Sequence, residues 1–180
     1  MPILRQIAQL GHPVLRTLAA AVKRTTSVEV RALIEDMLAT LREADGVGIA
    51  APQVYEPIAL FIVASRTNPR YPEAPTMEPE VVINPEILER SEDIIKGWEG
   101  CLSIPGIRGE VPRHRRIRAH YQTIGGKQVE REFTGFVARI FQHEDDHLRG
   151  IVFLDRLESP RDIVTEREYQ KDLLRSGRPC

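Results

Sequence analysis

The chain has 180 residues, 42% of them hydrophobic and 28% charged, with a formal net charge of -1. That balance excludes a disordered or fibrous chain and fits one domain, 1–180, with a substantial core. A charge this close to zero gives no overall basic field for nucleic acid or anionic lipid, and two cysteines, Cys101 and Cys180, do not make a disulfide framework.

No charged-then-apolar leader opens the chain, and no apolar run approaches the roughly 18 residues of a membrane span, so a reducing cytosol is expected. The first predicted element is a helix from Val28 to Ala44 capped by Ser27, because Val30, Leu33, Ile34, Met37, Leu38 and Leu41 recur at helical spacing. "ADGVGIAAPQ" breaks it with two glycines and a proline, and "IALFIVA" (Ile58 to Ala64) reads as a buried strand. The four prolines of "SRTNPRYPEAPTMEPE" predict an exposed loop. "VVINPEILE" and "EDIIKGW" read as strands on either side of a turn, and "RIRAHYQTIGGKQVEREF" as a hairpin turning at Gly125-Gly126. The basic cluster "RHRRIR" (Arg113 to Arg118) reads first as a solvated strand edge, with an RNA or ribosome contact as the alternative.

From Gly135 a second helix runs through Phe136, Val137, Ile140, Phe141 and Leu148 to Gly150, which is placed just past its end. "IVFLD" is expected as a short strand, and Ser159-Pro160 as the start of a last helix reaching Arg175. Consecutive strands with few helices favour an α+β fold with antiparallel sheets over a βαβ repeat.

The chemistry concentrates in "FQHEDDHLRG", residues 141–150. On a helix, residues four apart share a face, so His143 and His147 can hold one ion together. Glu144 lies one step round from His143, where it can border the ion's open position and take a proton from water. Ile140 shares that stripe as an apolar wall, while Phe141 and Leu148 anchor other faces. A solvated polar helix is the plainer reading, but this helix is apolar around its sides, so its charges point into or beside the core and need a partner. A catalytic ion also needs a third protein ligand. Residues 151–180 contain no histidine; Glu158, Glu166 and Glu168 remain candidates without a distinctive setting. Upstream, "WEGCLSIPG" carries the one internal cysteine, Cys101, whose thiolate suits a borderline-soft ion unless it merely packs in the core.

"GVGIAAPQ" (Gly46 to Gln53), "EGCLS" (Glu99 to Ser103) and "QHEDDHLRG" (Gln142 to Gly150) stand in this order and spacing, and together they closely resemble peptide deformylase over roughly Ile3 to Leu157. That family removes the formyl group from the starting methionine of new bacterial proteins. The resemblance implies antiparallel sheets packed around a central H-E-x-x-H helix, with an N-terminal and a C-terminal helix. It implies Cys101, His143 and His147 as ligands of one divalent ion, with Glu144 as general base and then acid. Gln53 and the backbone N–H of Leu102 would donate to the developing oxyanion. The backbone of Gly46, Val47 and Gly48 would pair with an extended peptide, and Ile49, Trp98, Ile140 and His143 would wall the methionine pocket. Iron(II) is the family's usual ion in the cell, and zinc, nickel or cobalt are ions a purified sample can carry. The implied partners are N-formylmethionyl nascent peptides, met at the ribosome near the exit tunnel, with no membrane and no specific nucleic acid.

The chain departs from the pattern in two places. Asp145 stands where the family usually has a large apolar residue, and should sit away from the ion; by family analogy Asp146 pairs with Arg113. The segment from Thr67 to Pro79 is longer than in simple members and either borders the cleft or decorates the surface. Two other readings compete: an H-E-x-x-H zinc endopeptidase that makes no use of Cys101, and a structural ion closed by Cys180 in a small nucleic-acid-binding module. The last helix, "DIVTEREYQKDLLR", either docks on ribosomal RNA or closes the domain.

Overall fold

The computed structural model describes residues 1–176. Helix α1 (Val28–Glu43) precedes strands β1 (Gly48–Ala50), β2 (Leu60–Val63), β3 (Glu80–Arg90), β4 (Ile94–Cys101), β5 (Ile104–His114), β6 (Arg116–Gln122) and β7 (Gln128–Thr134). Helix α2 (Gly135–Leu148), the short strand β8 (Ile163–Thr165) and helix α3 (Glu166–Ser176) complete the order. Two antiparallel sheets result, one ordered β1-β2-β3-β6-β7 and the other β4-β5-β8. The α+β expectation holds.

Strand alternation divides the core around the larger sheet. Ile49, Leu60 and Ile62 point to the face covered by α1, among Leu33, Ile34, Met37 and Leu41. Ala50, Phe61 and Val63 point to the other face, against Phe141, Ile140 and Leu148 of α2. Ser27 caps α1 as expected, its hydroxyl accepting from the Val30 N–H at 3.3 Å. Gly150 ends α2 with φ +71°, and a Cβ there would lie 2.7 Å from the Arg16 backbone, so both its conformation and its surroundings call for glycine. α2 is central because it is buried along its length, from Ala138 through Leu148 with one intermediate residue, Arg139.

Three local expectations need correction. "IVFLD" is not a strand: residues Phe153–Arg156 form a 3-10 turn, and the Asp155 carboxylate, not a neighbouring strand, takes the Val152 N–H at 2.8 Å. The last helix does not start at Ser159. Pro160–Asp162 is a short 3-10 turn, the β-branched Ile163–Thr165 add to β5, and Thr165 Oγ1 then accepts from the Glu168 N–H to open α3. β3 and β4 are strands on either side of a turn as expected, and they belong to different sheets; β5, with two prolines and two glycines, is a strand that the sequence did not signal. The proline-rich segment is not simply exposed, since Tyr71 packs on Phe136 at 4.8 Å between ring centroids.

"RHRRIR" is not the strand edge expected: it runs from the end of β5 into β6, which lies between β3 and β7, and its exposed arginines are ion-paired. Arg115 meets Asp93, Arg116 meets Glu132 and Arg118 bridges Glu89 and Glu130, whereas Arg113 turns inward. No helix among the described residues is long and apolar enough to cross a membrane.

Candidate metal centre and substrate cleft

The end of β4 and one face of α2 bring a sulfur and two imidazoles together. Ligand atoms of Cys101, His143 and His147 all lie within 4.8 Å of one another, and Cys101 Sγ is 3.3 Å from His147 Nε2. His143 Nδ1 bonds Glu99 Oε2 at 2.9 Å, which leaves its Nε2 for the centre. Glu99 is itself held by Arg113, Nε at 2.8 Å and Nη2 at 2.9 Å, and by Arg139 Nη1 at 3.0 Å. Arg113 Nη1 reaches Asp146 Oδ2 at 2.6 Å, the pairing expected by analogy. A buried chain of alternating charge thus runs from α2 through β5 to β4 and fixes the ring of His143.

Burial acts against every charge here, and the neighbours decide the outcome. Desolvation would raise the Glu99 carboxyl, but the Arg113 guanidinium outweighs it and holds the group well below the carboxylate range. His143 is raised despite its burial by hydrogen bonds to Cys101 and Glu99, while burial and the neighbouring His143 charge lower His147. At Glu144 burial outweighs the opposing His143 and Arg113 charges and pushes the carboxyl up to about 7. Its Oε2 is buried without a partner among the described residues, as is His147 Nδ1.

The residues present fit a divalent cation. Two imidazoles and a thiolate are a donor set for a borderline-soft ion, and the orphaned Glu144 oxygen beside them faces a place where water or substrate belongs. None of the three candidate carboxylates joins the ligand cluster: Glu158 pairs with Lys96, Glu166 with Arg108 and Glu168 with Lys171. Cys180, the ligand a closed structural site would need, lies outside the described residues.

A cavity of about 380 Å³ opens beside the centre, lined by Gly46, Val47, Gly48, Gln53, Trp98, Cys101, Leu102, Ile140, His143 and Glu144 among others. Gly48 sits under the carboxylate, where a Cβ would come 2.4 Å from Glu144 Oε1 and 2.9 Å from Ile140 Cγ2. The Gln53 amide is fixed through Oε1, which accepts from the Ala50 N–H at 2.8 Å, while Nε2 faces Cys101 Sγ at 3.4 Å and Ser103 Oγ at 3.2 Å. β1 is an edge strand of its sheet; Gly46 N–H bonds Leu41 and the Val47 carbonyl bonds the Ala64 N–H.

Ile49 is a correction. It is fully buried among α1 residues, because strand alternation turns it away from the face that Gly48 and Ala50 present to α2. Asp145 sits away from the three ligands as expected, yet it is buried rather than solvated, held by Arg149 Nε at 3.0 Å. Glu99 is a functional residue that sequence reasoning missed; its place two residues before Cys101 on one strand is the signal that could have found it. Nothing in sequence order linked Arg139 or Arg108 to the cleft, whereas Tyr71 lies in the proline-rich segment given as one border of it and Glu166 among the candidate ligands.

Comparison with known proteins agrees with this geometry. Residues 4–162 match the family model described as Polypeptide deformylase. Peptide deformylase 2 of Nostoc sp. is 54% identical over 170 residues, 94% of this chain and 95% of that protein. Peptide deformylase 2 of Shewanella oneidensis is 49% identical, covering 90% of this chain and 89% of that one. Among solved structures, a Met-Ala-Ser-bound class I type b peptide deformylase from Acinetobacter baumannii superposes with TM-score 0.85 at 48% identity, over 87% of this chain and 100% of that one. With the three motifs in one cleft and both sequence and structure matched over most of their length, the chain belongs to the polypeptide deformylase family.

Proposed function

We propose that this chain acts as a single catalytic domain whose cleft hydrolyses the formamide of N-formylmethionyl polypeptides, releasing formate and a free amino terminus. The observation that carries the reading is the cluster of one sulfur and two imidazoles beside a buried, unpartnered carboxylate oxygen. Cys101, His143 and His147 would hold one divalent cation, which when bound polarises the formyl carbonyl and makes water more acidic.

The chain's own residues supply the rest. Glu144, its affinity for a proton raised by burial, removes a proton from the attacking water and passes it to the amide nitrogen as the C–N bond breaks. Gln53 Nε2 and the Leu102 N–H donate to the oxygen that becomes negative, each such donor being worth about 3 kcal/mol in the transition state. The edge of β1 around Gly46, Val47 and Gly48 takes the extended peptide, and Ile140, Trp98 and His143 border the methionine side chain.

Iron(II) is the proposed ion in the cell, while zinc, favoured by the general affinity order, or nickel or cobalt can fill the site in a purified sample. The substrates are nascent chains met in the cytoplasm near the ribosomal exit, with no membrane or specific nucleic acid involved. Formate release from formyl-Met-Ala-Ser, with metal analysis of the same sample, tests the reading. Formate should appear, a single ion should bind per chain, and Cys101→Ala should lose it. A metal-replete protein that releases no formate, or a Cys101→Ala variant that keeps both metal and activity, refutes it; loss of activity in air points to iron.

A further inference from the structure

The match to the family model stops at residue 162, and β8 and α3 follow it and return to the cleft. β8 adds to β5, with Val164 opposite Arg108, and from α3 Glu166 and Gln170 line the same cavity as Cys101 and Glu144. The link between this extension and the cleft is Arg108, whose side chain is 1% exposed. Its Nε donates to Glu166 Oε2 at 2.6 Å and its Nη2 to Glu166 Oε1 at 3.3 Å. The guanidinium lies against two rings, 4.9 Å from the centroid of Tyr71 in the proline-rich segment and 4.7 Å from that of Tyr169 in α3. Tyr169 in turn meets Trp98 at 5.5 Å. Gly100, the residue before Cys101, passes so close that a Cβ would lie 3.4 Å from Arg108 Cζ.

The guanidinium is therefore held between rings and along one edge. Its remaining nitrogen, Nη1, is buried and has no hydrogen-bond partner among the described residues. A buried donor left unmade costs free energy, so this wall of the cleft lacks an oxygen acceptor.

We infer that β8 and α3 form a selectivity wall for the residues that follow methionine, and that Arg108, its charge matched by Glu166, offers Nη1 to an uncharged oxygen of the bound peptide. The inference deepens the deformylase reading and rests on it. Charge decides the class of acceptor. A substrate carboxylate would meet Glu166 as well as Arg108, so attraction and repulsion largely cancel while the cost of burying the new charge remains. A carbonyl or hydroxyl oxygen meets only the donor. Glu166 is a positioning residue here, acting through Arg108.

Trp98 is the chain's one tryptophan and stands in this wall, so its fluorescence reports peptide binding without catalysis. The metal-loaded full-length protein, Glu166→Gln and Glu166→Asp are titrated with C-terminally amidated Met-Ala-Ser and Met-Ala-Asp. The parent should bind the serine peptide at least as well as the aspartate peptide. Glu166→Gln should move the ratio of the two Kd values toward the aspartate peptide by threefold or more, and Glu166→Asp should restore it. General loosening of α3 would weaken both peptides alike and leave the ratio in place. A ratio that moves less than threefold in Glu166→Gln, or toward serine, overturns the inference. Formate release from the formylated peptides, run alongside, separates the two levels. Formate with an unmoved ratio removes this wall alone, and a moved ratio without formate removes the deformylase reading alone.

Discussion

Glu99→Gln tests the electrostatic frame that holds the centre. In the parent protein the buried Glu99 carboxylate accepts from Arg113 Nε at 2.8 Å and Nη2 at 2.9 Å, from Arg139 Nη1 at 3.0 Å and from His143 Nδ1 at 2.9 Å. An amide of the same shape has one accepting oxygen and brings an NH2 donor against groups that are themselves donors. It also leaves Arg139 without its anion and Arg113 and Arg156 with Asp146 as the remaining one. Breaking a buried pair from one side costs about 3–5 kcal/mol, a large share of a typical total stability of about 5–15 kcal/mol. For a chain of this size that lowers Tm by about 6–20 °C, at about 2–4 °C per kcal/mol. The loss should be measured by thermal unfolding of chelator-treated protein, so that metal affinity does not enter. A separate chelator competition should find metal binding weakened by about 10–100-fold, because His143 loses the partner that orients its ring. Glu158→Gln, which removes an exposed partner of Lys96, is the control and should change stability by less than about 0.5 kcal/mol. A Glu99→Gln protein that unfolds within about 2 °C of the parent would refute the reasoning, since a penalty of this class cannot be that small.

Glu144→Ala should keep the metal while deformylation falls by about 10²–10⁴-fold or more, as befits the group that moves the proton; a variant within tenfold of the parent would remove that role. Gly48→Ala should fold, because Gly48 is an ordinary strand position, but its Cβ would come 2.4 Å from Glu144 Oε1 and push the carboxylate aside. kcat should then drop about 10²-fold with metal content unchanged, and an unaltered kcat would mean that the Glu144 position is not critical. Asp36 ties down the N-terminal segment through Ile3 N–H at 2.8 Å and Arg5 Nε at 2.9 Å, and the Ile3 bond foremost holds its carboxyl below the usual value. A depressed folded pKa stabilises above the unfolded value and loses that contribution as pH falls through the folded one. Denaturant unfolding should therefore find Asp36→Asn less stable than the parent near neutral pH, with the gap closing below about pH 3.9; a gap that is constant across that range would show the charge to be irrelevant.

Much of the centre was legible because short-range order carries it. Two histidines at helical spacing, a glutamate between them and a lone internal cysteine are facts of local sequence, and α2 needed only its apolar periodicity to be recognised. The helix α1, its serine cap, the β6–β7 hairpin and the glycine closing α2 follow from the same local physics. Where elements failed, local signals competed with partners far along the chain. β5 carries the prolines and glycines of a loop, yet it is a strand because β4 and β8 lie on either side to complete its ladder. Ser159-Pro160 has the look of a helix start, but pairing with β5 draws the next residues into a strand.

The amino-acid order by itself determined which atoms could grip an ion and move a proton, since spacing on one helix is set by backbone geometry. The tertiary structure alone decided which charges support them: Glu99, Arg113 and Asp146 come from three elements, and only packing α2 against the β4–β5 sheet makes them neighbours. The same holds for the far wall of the cleft, where Tyr71, Arg108, Glu166 and Tyr169 meet across nearly a hundred residues of chain. Side-chain chemistry is written residue by residue, but the field around a buried group is the sum over whatever the fold brings beside it.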